Sequence, residues 1–135
     1  MQNARRPSRF DFAETVKRLP DLLKAHGLAL VSRVDHAAAA ASVGLTLRPT
    51  EVFIFGNPAV GTKLMQMSET IGIELPLKIL VTQGDDGQCW LSDSDPESFA
   101  KRYGLPNEAK AILQGMARGL AVIIDELAKP PSDGG

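Results

Sequence analysis

The residues with most chemical potential in this chain form one run: Gly56, Asn57, Pro58, Ala59, Val60, Gly61, Thr62 and Lys63. Two glycines with four residues between them, followed by a lysine and a hydroxyl, is the spacing of a phosphate loop, whose backbone amides cradle phosphate while the lysine reaches the outer phosphates. Here the last two residues are transposed. On a helix, a one-residue displacement turns a side chain by about 100°, and Pro58 removes an amide donor from the cradle. A nucleotide-binding or hydrolytic enzyme is therefore only a residual alternative. What survives is a helix N-terminus, with its amides and partial positive charge, and two cations, Arg48 and Lys63, if the fold brings them together. The leading expectation is a small polar or anionic ligand held near this turn by Arg48, Gly56, Asn57, Gly61, Thr62 and Lys63. The plainer reading is that Asn57 caps its own helix and the glycines permit close packing.

Asp35 and His36 are secondary candidates. They follow a strand-like run, and Asp35 is placed to cap a helix that His36 begins. Cys89 is the single cysteine, so no intramolecular disulfide can form, and with His26 and His36 it makes no ligand set for structural zinc. In a strand beside Trp90 it reads as a small buried hydrophobe. Asp85 and Asp86 suit a turn better than acid and base roles. No catalytic constellation, metal site or cofactor is assigned. A third set, Ala111, Gly115 and Gly119, recurs every four residues on the flank of a C-terminal helix. Two glycines inside a helix cost about 1 kcal/mol each relative to alanine, so their spacing suggests a backbone coming close. That backbone is either the chain's own sheet or a partner subunit. The second option makes the protein a non-catalytic homo-oligomeric interaction module with a purely structural loop.

The elements that must position these residues follow from periodicity. Phe12, Val16, Leu19 and Leu23 mark a first helix ending near Gly27, with Pro20 expected to kink or restart it. Leu28 to Val34 reads as a strand, and His36 to Val43 as a short helix ending at Gly44. Thr50 to Phe55 is β-branched and aromatic throughout, which predicts a central strand buried on both faces. Asn57 followed by Pro58 starts a helix that runs to about Met67. Met65 and Met67, two apart, cannot share a helix face, so one packs and the other meets an interface or solvent. Leu77 to Gln83 and Gln88 to Ser92 form an antiparallel hairpin about Asp86 and Gly87. Asn107 to Lys129 carries one long apolar stripe through Leu113, Leu120, Ile124 and Leu127.

Length and charge bound the rest. At 135 residues there is room for a single core. A net charge of -1 provides no field to gather nucleic acid or acidic lipid. Arg5, Arg6 and Arg9 are not followed by an apolar signal run, and no stretch approaches the roughly 20 apolar residues that span a bilayer. The expectation is a cytoplasmic protein with no nucleic-acid or membrane partner. Residues 1–9 and 129–135 read as loose tails.

The run from Ile54 to Gln66, with Val34-Asp35-His36-Ala37, Leu47-Arg48-Pro49-Thr50 and Glu74-Leu75-Pro76-Leu77-Lys78 around it, resembles the bacterial family called domain of unknown function 302. The resemblance spans roughly Phe10 to Pro96, with the helical region over 97–128 as an extension on the same domain. It implies a compact two-layer α+β sandwich with helices on one face, and a homodimer, and it implies no activity. Together with the elements above, the expected fold is α+β: a mostly antiparallel sheet of four to five strands, helices packed on one side, and a long C-terminal helix.

Overall fold

The computed structural model describes residues 5–130. The strands are β1 (Arg6–Pro7), β2 (Ala29–Asp35), β3 (Thr50–Gly56), β4 (Leu77–Gln83) and β5 (Cys89–Asp93), and the helices are α1 (Phe12–Ala25), α2 (His36–Ser42), α3 (Pro58–Met67), α4 (Phe99–Arg102) and α5 (Ala109–Leu127). One five-stranded antiparallel sheet has the order β1-β5-β4-β3-β2. The fold is α+β, with the long C-terminal helix in place.

Local rules account for most boundaries. Asp11 caps α1 by accepting from Glu14 N at 2.8 Å. Gly27, at φ +74°, ends it, with Leu28 N donating back to Leu23 O. Gly87 takes φ +88° in the β4–β5 turn, where Asp86 Oδ1 accepts from Gln88 N. Leu19 and Leu23 of α1, Leu113, Leu120 and Ile123 of α5, and Phe53, Phe55, Ile79, Val81 and Leu91 of the sheet form one buried cluster. Cys89 is in it as a small buried hydrophobe, its thiol pushed up by burial.

Three expectations need correction. β3 is not buried on both faces: Glu51, Phe53 and Phe55 are buried and their neighbours half-buried, because the helical layer lies on one side of the sheet. α1 does not restart at Pro20: it is a single helix through that residue, where the missing amide costs one bond to the Val16 carbonyl. Residues 5–9 are not a loose tail. Arg6 and Pro7 pair with Leu91 and Trp90, Ser8 is buried, and Ser8 bridges to Ala128. At the other end Lys129 N donates to Pro7 O, while the tail expected beyond Pro130 lies outside the described residues.

Candidate functional site

β3 carries the chain to Gly56, where a Cβ would sit 3.4 Å from the Cβ of Pro76. Asn57 is extended, and its side chain accepts from Ala59 N at 3.0 Å. Val60 N and Gly61 N both donate to Asn57 O, at 3.1 and 3.0 Å. With Pro58 contributing no amide, each N–H of the first turn is engaged. The turn is therefore a satisfied cap and not an open anion cradle, which corrects the amide-cradle expectation.

The same turn nevertheless lines a cleft of about 540 Å³. Gly56, Asn57, Gly61, Thr62 and Lys63 form one wall, and Ala111, Gly115 and Gly119 of α5 form another. The structure thus places the expected ligand turn opposite the expected interface stripe. Leu28, with Ala29 and Val31 of β2, and Phe55, Leu75 and Leu77 complete the lining. A Cβ built on Gly115 or Gly119 meets nothing within 4 Å. These glycines do not admit a close backbone; they leave the cleft wide. Met65 lines the cleft and is exposed, whereas Met67 packs on the core, so the two methionines divide as their spacing requires. The lining is overwhelmingly apolar. Its polar groups are those of Asn57, Thr62 and Lys63.

Arg48 is elsewhere. Its Nε donates to Gln83 O at 3.2 Å beside Thr50, at the other end of β3 from Gly56. Six residue steps of strand separate those ends by about 20 Å. Asp35 and His36 share that far end, since Asp35 lies opposite Glu51. Asp35 Oδ1 accepts from Ala38 N at 2.9 Å as the cap of α2, and His36 is exposed. Arg48, Asp35 and His36 thus take no part in the cleft. Among the described residues no three His, Cys, Asp or Glu side chains gather as metal ligands. Sequence reasoning missed Leu28, Val31, Ile112 and Met116 as cleft residues; each reads as ordinary apolar periodicity until the elements are assembled.

Residues 4–123 match the family model described as domain of unknown function DUF302. The chain belongs to the DUF302 family. The match runs well past Pro96, so α4 and most of α5 are part of the family domain and not an extension to it. The crystal structure of an uncharacterized conserved DUF302 protein from Bacillus stearothermophilus superposes with a TM-score of 0.83 at 20% identity, covering 94% of this chain and 98% of that one. At that identity it attests to the DUF302 fold alone. Two Brucella proteins named fluoride-specific ion channel FluC 1, from B. suis biovar 1 (strain 1330) and B. abortus biovar 1 (strain 9-941), are each 40% identical over 116 residues. That alignment takes in 86% of this chain but 46% and 43% of theirs, so the chain spans less than half the length of these relatives. Among the described residues no helix of this DUF302 chain is long and apolar enough to cross a membrane.

Proposed function

We propose that this protein binds a small, largely apolar molecule between the Gly56 to Lys63 turn and the small-residue face of α5, with any polar end of the ligand at Asn57, Thr62 and Lys63. One observation carries the reading: Gly115 and Gly119 weaken a helix by about 1 kcal/mol each relative to alanine, yet nothing packs where their side chains would be. The cleft they line, about 540 Å³, lies inside the roughly 300–1,000 Å³ usual for small-molecule sites. The polar or anionic ligand expected from the turn thereby becomes an apolar or amphipathic one.

Thermal shift with medium-chain carboxylic acids and naphthalene derivatives tests it. A ligand at 100 times its dissociation constant stabilises the fold by about 2.7 kcal/mol. The double variant Gly115→Leu, Gly119→Leu fills the cleft and should abolish that shift while the chain still folds. Arg48→Ala, remote from the cleft, should leave it intact. A shift that persists in the filled variant, or no shift with any of these compounds, removes the reading.

A second reading is favoured by the Brucella relatives, in which a segment 40% identical to this chain shares a polypeptide with a protein named as a fluoride-specific ion channel. On it, the domain is an accessory module of such a channel. Deleting the matched segment from one of those relatives should alter fluoride efflux from vesicles, and unchanged efflux discards the idea.

A further inference from the structure

Ala111, Gly115 and Gly119 stand four apart on α5, and Ile112, Met116 and Leu120 repeat that spacing one residue on. Residues four apart share a helix face, so a trough of small residues runs beside an apolar ridge. Both rows line the cleft. From Ala111 to Gly119 the helix advances about 12 Å. The trough is unfilled, since a Cβ built on Gly115 or Gly119 meets nothing within 4 Å. The open space along α5 is therefore elongated, which suits an extended chain better than a compact ring system. Met65 and Met116, unbranched and polarizable, line the cleft too and adapt to chains of differing length.

Charge defines the other end of the ligand. Lys63 is the one charged residue in the lining, and no aspartate or glutamate is part of it. Lys63 is exposed, and among the described residues it forms no ion pair. The other polar side chains of the lining are Asn57 and Thr62. Asn57 Oδ1 accepts from Ala59 N, which leaves Nδ2 as a donor, and the Thr62 hydroxyl can donate as well. Donors and a positive charge thus border a cavity whose side chains carry no counter-charge.

With the cleft as the binding site, the reading on which this rests, we infer that the ligand is an extended amphiphile with one negative charge, of the fatty-carboxylate type. Its carboxylate lies at Lys63 and its unbranched chain along the α5 trough. A carboxylate supplies the acceptor oxygens that the donors lack, and charge-assisted bonds beside an apolar wall are stronger than neutral ones. One lysine balances one charge, where a phosphate monoester would bring nearly two. Because Lys63 is exposed, the head stays on the solvent side and keeps part of its hydration while the chain leaves water.

Calorimetric titration of the full chain at neutral pH, with each probe below its micelle concentration, decides the class. Decanoate should bind about tenfold tighter than decanol, the effect of one charge-assisted hydrogen bond. Lys63→Met should remove that preference and leave decanol binding unchanged, and Lys63→Glu should turn the preference toward decylammonium. Both substitutions are at an exposed position and should keep the helical circular dichroism of the wild type. From hexanoate upward, affinity should rise about fourfold per methylene until the chain outgrows the trough. Adamantane carboxylate, a compact acid, should bind more weakly than undecanoate. Equal affinity for decanoate and decanol, a preference that survives Lys63→Met, or tighter binding of decyl phosphate overturns the carboxylate head while the cleft stands. Equal affinity for the compact and linear acids overturns the extended chain. Failure of every probe, naphthalene derivatives included, removes the cleft itself and the fatty carboxylate with it.

Discussion

At the β1 edge the sheet ends on a two-residue strand whose margin is fastened to α5. Arg9 N donates to Leu127 O and Lys129 N to Pro7 O, each at 2.8 Å, and Arg9 adds side-chain bonds to the Ala128 carbonyl. Beneath that seam Ser8 Oγ and Thr15 Oγ1 lie 2.8 Å apart, Phe10 N donates to Ser8 Oγ, and Cys89 Sγ donates to Thr15 Oγ1. At the β2 edge seven residues run with none buried. The difference teaches that one small domain can finish a sheet in two ways: the β1 edge is closed by hydrogen bonds to the end of α5, whereas the β2 edge, next to the cleft, is left exposed along its length.

The largest effect that would break this contrast is at Leu127, fully buried under the closed seam. Leu127→Ala should cost about 2–5 kcal/mol of unfolding free energy in urea titration. A loss below 1 kcal/mol, roughly the cost of a well-relaxed site, would show that the seam is not tightly packed. Next comes Ser8→Ala, expected to cost about 1–3 kcal/mol by stranding Phe10 N and removing the Ser8–Thr15 hydroxyl pair. Combining it with Thr15→Val should be less than additive in a double-mutant cycle, since both remove one network.

Burial gives the same region a pH signature. The Cys89 thiol titrates higher in the folded chain than in the unfolded one, so above the ordinary thiol range the unfolded chain releases its proton first and stability falls as pH rises. Cys89→Ala should flatten that alkaline limb, and native Cys89 should resist thiol reagents until the chain unfolds. On the open side the expected change is smaller and of opposite sign. Gly115→Ala and Gly119→Ala should each stabilise by up to about 1 kcal/mol, because nothing meets the added Cβ. Destabilisation there would mean that the glycines serve packing and not room.

Much of the local architecture was legible from residue order. Asp35 and Asn57 cap the helices they precede, Gly27 and Gly44 end the helices before them at positive φ, and the Asp86-Gly87 step makes the hairpin turn. Each depends on contacts within about four residues, which the sequence states directly. The candidate site was legible only in halves. The Gly56 to Lys63 turn and the Ala111, Gly115 and Gly119 stripe were visible separately, as a ligand site and an interface, and their meeting in one cleft was not.

The linear chain determined most of the segments that become strands and helices, roughly where they begin and end, and that Cys89 packs as a small buried hydrophobe. Tertiary structure alone decided that β3 is covered on one face, that Arg48 lies a strand's length from the turn it was expected to serve, that residues 6–8 join the sheet, and that β2 is left at an edge. The physical reason is range. Caps and turns close over a few bonds, whereas strand order and helix placement are set by which apolar faces bury together across the whole fold, and no short window of residues contains that choice.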